Sequence, residues 1–334
     1  MAQTLMKKTL FTVVYEGTDI TNDISDDVLS ITYVDNEDGK VDDVTITLKD
    51  ENSKWIGPWM PKKGDLLSVV IKPFNAIALN CGKFEVDEIS ASGPPSVIEI
   101  KAVSVPTKSG IRRLLKTKAW EKTTLKTIAT EMATASKLEF LYLVDEDPYY
   151  GRQDQTEQSD LAFLHRLAQD EGFSLKVTDS QLVIFDQAMF ESKDPITTFY
   201  HKQPPLTGWG FSTQSHDLYK SCTCKYRIPK KKKTIAYTYT DPDIEDGSNL
   251  KIRKLVANGD EAKRKARAML RMKNRYQYTG SLTMPGNTDM VAGVTFIYAG
   301  SGGFDGKYIV QQSTHTVAAG YTTTIEIRRV IEGY

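Results

Sequence analysis

The sequence predicts a mainly β fold with an α+β insert: two copies of one tube-type β-barrel separated by a small α/β domain. Three observations carry this. Short apolar runs of period two, punctuated by glycine and proline, occupy both ends of the chain, while the middle switches to a helical period. Blocks from the N-terminal part recur in the same order near the C-terminus. The length, 334 residues, suits two or three domains.

In the N-terminal unit, residues 1–106, the strands are Leu10–Tyr15, Val44–Leu48, Leu66–Ile71, Phe84–Ile89 and Val97–Val103. Val44-Thr45-Ile46-Thr47-Leu48 alternates as a half-buried strand does. Asp38-Gly39, Pro61 with Gly64, Cys81-Gly82 and Gly93-Pro94-Pro95 mark the turns.

Residues 107–195 form the α/β insert. Thr123 or Thr124 can cap a helix with Leu125, Ile128, Ala129, Met132 and Ala133 on one face. A second helix begins at Ser159-Asp160, runs Leu161–Glu171 and stops on Gly172. Phe173–Val177 and Gln181–Phe185 form a hairpin around Thr178-Asp179-Ser180.

Residues 196–334 return to strands at Gly280–Met284, Val294–Tyr298, Tyr308–Gln312 and Thr323–Val330. They are interrupted at about 225–275 by a charged hairpin and a helix, Asp260–Arg275. That helix sets Ala262, Ala266, Met269 and Leu270 on one face and Lys and Arg on the other. Its acids lie at the start and its cations gather toward the end, as the helix dipole favours.

The repeat is specific. Gly82-Lys83-Phe84-Glu85-Val86 recurs as Gly306-Lys307-Tyr308-Ile309-Val310, and Ile98–Val103 recurs as Ile325–Val330. Met60-Pro61 with Gly64 corresponds to Met284-Pro285 with Gly293. Two like barrels per chain allow a trimer to present six in a ring, a natural adaptor between six-fold and three-fold partners.

Apolar residues at 40% and charged residues at 26% exclude disorder and coiled coil. The 43 basic and 43 acidic residues exclude binding to nucleic acid by bulk charge. The zero is a cancellation, however. Residues 1–50 hold 11 acidic and 4 basic side chains, whereas residues 225–275 hold 16 basic and 6 acidic.

Cys222 and Cys224 point the same way in an extended strand. Zinc would need two further ligands, with only His201 and His216 nearby, so free thiols in a reducing cytoplasm are expected. Lys7-Lys8 precedes too short an apolar run for a signal peptide, and Met290–Phe304 is too short and glycine-rich to span a membrane.

His165, His201, His216 and His315 stand singly, and His165 reads as a hydrogen-bonded packing residue. No nucleophile elbow, metalloprotease motif or phosphate loop is present, and the glycines at 300–306 do not open a helix. No cofactor, metal site or catalytic residue is expected. Asp42-Asp43 and Glu37-Asp38 read as solvated surface rather than a hydrolase pair.

Lys230, Lys231, Lys232 and Lys233 read as an exposed hairpin tip, since no aromatics are interleaved for nucleic-acid stacking.

With these residues in view, the chain resembles a known family. Ser159–Phe173 is similar to the helix motif of phage tail hub proteins and type VI valine-glycine-repeat spike proteins. Glu261–Leu270, Thr279–Gly286 and Phe304–Tyr308 resemble the phage late control protein D family, as do Asp19-Ile20-Thr21 and Asp42–Leu48 leading to Trp55.

The resemblance implies a structural, non-enzymatic baseplate hub of a contractile phage tail or tail-like bacteriocin or injection particle. It would be a homotrimer whose pseudo-hexameric ring joins the tail tube protein to a central spike protein, among other baseplate proteins and the tape measure protein. No membrane insertion and no specific nucleic acid are expected. Synthesis is expected in the bacterial host cytoplasm. The chain reaches Tyr334 without a spike-type barrel or β-helix, so the spike is expected to be a separate polypeptide. The alternatives are a tail-associated cell-wall hydrolase and a nucleic-acid-binding module.

For the trimer, the charge segregation nominates Arg264, Arg267, Arg271 and Lys230–Lys233 as cationic interface residues, with Asp42 and Asp43 on the acidic side.

Overall fold

The computed structural model describes residues 10–74, 76–104, 110–178, 180–215, 217–228, 233–244 and 246–331, with the backbone alone for Ile228 and Lys233. In the first sheet module, β1 (Leu10–Tyr15), β2 (Thr18–Asp19), α1 (Thr21–Ile24), β3 (Val28–Asn36), β4 (Asp43–Lys49), β5 (Leu66–Lys72), β6 (Leu79–Ser92) and β7 (Val97–Val103) follow in order. Val44, Ile46 and Leu48 of β4 point inward and meet Val69, Phe84, Val86 and Ile98 in one core.

The α/β part comprises β8 (Lys116–Thr124), α2 (Leu125–Ala135), β9 (Glu139–Leu143), β10 (Tyr149–Gln158), α3 (Asp160–Glu171), β11 (Ser174–Val177), β12 (Gln181–Phe185) and α4 (Gln187–Glu191). Both expected caps form. Thr124 Oγ1 accepts from Thr127 N at 3.2 Å, and Ser159 Oγ accepts from Ala162 N at 3.3 Å. Gly172 closes α3 in the left-handed region, as its position demanded. β11 and β12 pair as the expected hairpin, and β9 adds in parallel to β12.

Next come β13 (Thr198–Tyr200), β14 (Gly208–Thr213), β15 (Tyr219–Ile228), β16 (Lys233–Thr240), β17 (Ser248–Ile252), α5 (Gly259–Asn274), β18 (Tyr278–Pro285), β19 (Thr295–Ala299), β20 (Gly306–Val317) and β21 (Tyr321–Arg329). β15–β17 form a separate three-stranded sheet that carries α5. The others build the second module, with Phe296, Tyr298, Tyr308, Ile325 and Ile327 in its core.

The two modules share a strand order. The first runs β3-β4-β7-β6-β5-β1 and the second β14-β18-β21-β20-β19-β13. A bulge falls at the same place in each: Asp87 is the extra residue between β6 and β7, and Gln311 between β20 and β21. The ladders correct the sequence alignment by two residues. Ala102 pairs with Val86 as Ile327 pairs with Val310, so Ile100, not Ile98, stands where Ile325 stands. A slip of two leaves every side chain on its own face, so the patterns still matched.

β3 is not among the strands that periodicity picked out, yet it joins the modules. It pairs with β20 from Ile31↔Val317 to Asn36↔Gln312, making one 13-stranded sheet. At this seam His315 is fully buried and stacks on Tyr33, with ring centroids 6.1 Å apart. Its Nε2 lies 2.9 Å from Ser313 Oγ, and its Nδ1 lies 2.8 Å from Tyr321 Oη and 3.3 Å from Thr323 Oγ1.

Burial pushes the His315 pKa down to about 4, against a smaller opposing pull from Asp35. A depressed base is neutral in the fold, so its contribution is present above pH 6.5 and is lost as pH falls toward 4. Between those limits we expect wild type to lose about 3 kcal/mol of unfolding free energy that a His315→Gln variant does not lose. Because the Asp42 carboxyl, raised to about 6 by burial, acts in the opposite sense, the quantity to measure is the difference between the two denaturation profiles.

Candidate functional site

The three nominated arginines lie on α5, so its placement decides their role. Asn258 Oδ1 accepts from Glu261 N at 2.9 Å, and Glu261 in turn accepts from Ala257 N at 2.7 Å, which fixes the start of the helix. Ala262, Ala266 and Leu270 pack with Cys222 and Cys224 in a core of their own. Both thiols are free and fully buried. The opposite side of α5 does not face solvent throughout; it meets α3. A Cβ at Gly172 would come within 2.9 Å of the Ala268 side chain, and that glycine also sits at φ +90°, so no other residue suits this crossing.

Charge is consumed along this crossing. Lys265, 5% exposed, lies 3.4 Å from Glu171 and 3.3 Å from Glu261. Burial works against its charged form, but the two carboxylates outweigh that and hold its pKa above the ordinary lysine value. Burial raises Glu171 despite the adjacent cations. Arg264 lies 3.4 Å from Glu146 and 3.8 Å from Glu171, and Arg271 lies 2.6 Å from Glu191. Only Arg267 of the three is exposed.

All three line a cleft of about 510 Å³, whose far wall holds Tyr142, Asp145, Glu146 and Asp186 from the α/β part. With both signs of charge on its walls, the cleft suits a complementary polypeptide surface better than a lone anion.

Behind it lies a buried ionic junction. Arg328 of β21 is fully buried; its Nη1 donates to Glu191 at 2.6 Å, and its Nη2 lies 3.5 Å from Glu37. Burial disfavours its charge, but Glu37 and Glu191 outweigh that and raise its pKa. Burial raises Glu37 above the usual carboxylate range, although Arg328 pulls it down. Gln187 accepts from Arg275 at 2.7 Å and from Arg328 at 3.4 Å. The first module, α4, α5 and the second module therefore converge on two carboxylates.

This corrects the expected positions. Arg271 and, in part, Arg264 are internal ties. Asp42, expected on the surface, is 5% exposed; it accepts from Asn36 N at 2.8 Å and lies 3.3 Å from Lys176. Glu37, read with Asp38 as solvated, is 5% exposed in the junction. Asp43 is half-buried, 3.9 Å from Lys101. Lys230, Lys231 and Lys232 lie outside the described residues, as does His216; Lys233 opens β16 opposite Ile228. His165, expected to be hydrogen-bonded, has Asp38 Oδ1 3.8 Å from Nε2, too long for a bond. His201 Nδ1 lies 2.8 Å from Tyr298 Oη. Among the described residues no group of three or more His, Cys, Asp or Glu could hold a metal.

Solved structures share this fold. The chain matches the 43 kDa tail protein of prophage MuSo2 from Shewanella oneidensis with a TM-score of 0.75, covering 96% of this chain and 98% of that one at 14% identity. The chain has the fold of phage tail proteins. A tail protein from Neisseria meningitidis MC58 superposes with a TM-score of 0.74, over 96% of this chain and 97% of that one at 11% identity. An Escherichia coli type VI secretion component shares the tail-protein fold with a TM-score of 0.57, over 92% and 75% of the two chains at 13% identity.

In sequence, the chain is 33% identical over 178 residues to the probable baseplate hub protein of Escherichia phage P2, covering 52% of this chain and 44% of that protein. It is 30% identical over 193 residues to the probable baseplate hub protein of Escherichia phage 186, covering 56% and 48%. The chain thus spans slightly under half the length of these curated relatives. No family model matches it.

Calorimetry can weigh the junction in this chain. Replacing Arg328 by Met leaves Glu37 and Glu191 buried without their shared partner, and we expect a loss of about 3–5 kcal/mol. Replacing Glu37 by Gln as well should recover part of that loss, because its uncompensated charge is removed while Glu191 keeps Arg271.

Proposed function

We propose that the chain is a baseplate hub subunit: a homotrimer whose six sheet modules form a ring joining a hexameric tail tube to a trimeric central spike. The observation that carries this is the pair of modules with one strand order, fused where the edge strand β3 of the first pairs with β20 of the second. Three such chains offer six similar strand arrays related by three-fold symmetry. The sequence likeness to probable baseplate hub proteins supports the same reading.

In this role residues 1–106 and 196–334 supply the ring, and residues 107–195 with the α5 insertion brace it from outside. Assembly, not turnover, is the work assigned. Other baseplate proteins and the tape measure protein are the further partners, and the destination is the tail of a phage or a tail-like particle.

The acidic first fifty residues, carrying 11 acids against 4 bases, would face a neighbour's basic 225–275 segment, which carries 16 bases against 6 acids. Since Arg264 and Arg271 are paired internally, Arg267 is the nominated helix arginine left exposed for a neighbour, beside the proposed contribution of Lys230–Lys233.

Native mass spectrometry should find three copies of the 37.5 kDa chain at micromolar concentration or once tube and spike proteins are added. A strict monomer under all these conditions would sink the ring. Arg267→Glu should weaken trimer formation by about three- to tenfold at low salt, and less at high salt, without lowering the melting temperature. Arg271→Glu should lower the melting temperature instead.

A further inference from the structure

The two modules differ at one end. In the second, the connection from β18 to β19 tucks Met290 into the core at 1% exposure, and Met290 O accepts from Ser313 Oγ. In the first, the corresponding connection from β4 to β5 leaves a pocket of about 480 Å³. It reaches Ile46, Leu48, Val86 and Ile100, all of which belong to the central core of that module. Native cores are close-packed, and a lining without partner atoms forfeits its dispersion contacts. Trp59 and Met60 in its lining are 47% and 48% exposed, so it communicates with the surface there.

The charge around the pocket identifies the occupant. Lys54 Nζ lies 4.2 Å from the Trp59 ring, but it is paired with Asp27 at 3.3 Å. Glu16 is the charged side chain among those lining it. Glu16 sits at φ +47°, followed by Gly17 at φ +80°, and its carboxylate accepts from Leu66 N at 2.6 Å, so a strained turn pins it there. Tyr15 in the lining donates to Asp65, while Asp19 of β2, Asp23 of α1 and Asp26 on the turn after it stand exposed. Lys62 and Lys63 follow Pro61 on the surface but do not line the pocket. An anionic lipid headgroup or fatty-acid carboxylate would meet like charge at this mouth, whereas a cation would meet opposite charge.

We propose that this pocket receives an aromatic anchor carried on a basic segment of a partner protein in the assembly. Buried aromatic anchors in desolvated pockets dominate protein interfaces, and cationic flanks would complement Glu16. The inference rests on the hub reading. It gives that reading an asymmetry, because one module of each chain offers the socket and a trimer would present three in a ring of six.

The test uses the purified chain with three probes sharing one ring: tryptamine, indole and indole-3-acetate. Titration calorimetry at low salt should rank tryptamine first and indole-3-acetate last, with about a tenfold span that narrows as salt is added. Glu16→Lys, at an exposed position, should reverse the order, and Leu67→Trp, filling the pocket from β5, should abolish binding of all three. The proposal is overturned if none of the probes binds wild type, if Glu16→Lys leaves the order unchanged, or if palmitate binds more tightly than tryptamine. Binding needs no oligomer, so a monomeric chain that ranks the probes as expected would reject the ring and keep the socket.

Discussion

A guanidinium removed from water must be paired, and Arg328 is removed completely. Its outward position on β21 follows from alternation: Ile325 and Ile327 face the core of the second module, so Arg328 faces the opposite way. On an isolated sheet that face would be wet. Here it is covered, and the covering elements must bring carboxylates. Glu191 arrives at the end of α4 and Glu37 just past the end of β3. Since Glu191 also takes Arg271 from α5, no one of these four elements can shift without stranding a buried charge. Desolvation offsets much of the Coulomb energy of such a pair, whereas losing one partner strands a buried charge.

The Asp35 carboxylate repeats this logic nearer the seam. It lies 2.6 Å from Lys176 of β11 and accepts from Ala292 N of the second module at 2.8 Å. One side chain from β3 thereby touches both the α/β part and the β18–β19 connection. His315 beside it is held neutral by burial, which outweighs the pull of Asp35. The polar content of β3 and of the residues after it is thus where the three parts of the chain are bolted together.

That polar content also explains what could be read in advance. Period-two runs found β1, β4 to β7 and β18 to β21 but not β13 or β14, caps found α2 and α3, and one-sided apolar spacing with the placement of charge found α5, because those signals are local. β3 carries Ser30, Thr32, Asp35 and Asn36, which dilute its alternation, and one of its two partner strands lies almost three hundred residues away. The cationic face of α5 was legible as a face but not as an inside. Lys265 and Arg271 become internal only because Glu171 and Glu191 are delivered by other elements, and nothing in their own neighbourhood of sequence announces it. Asp42 misled in the same way: two adjacent acids after a turn look solvated until Lys176 is placed against one of them. Glu16, Trp59 and Met60 gave no motif, because a pocket is defined by what fails to fill it.

Repetition and divergence then act on different parts of the same module. Strand order, the shared bulge and the inward alternation are common to both copies, and these determine how a strand array presents its faces to neighbours. The connections between equivalent strands are free of that constraint: sixteen residues separate β4 from β5 and nine separate β18 from β19. The shorter one closes on its own core through Met290, and the longer one, held by Trp55 and Asp50, stands open beside Trp59. A duplicated fold can therefore keep the ladders that make its copies alike while its loops make them distinguishable. A ring built from such a chain would carry six-fold likeness in its strands and three-fold identity at its ends.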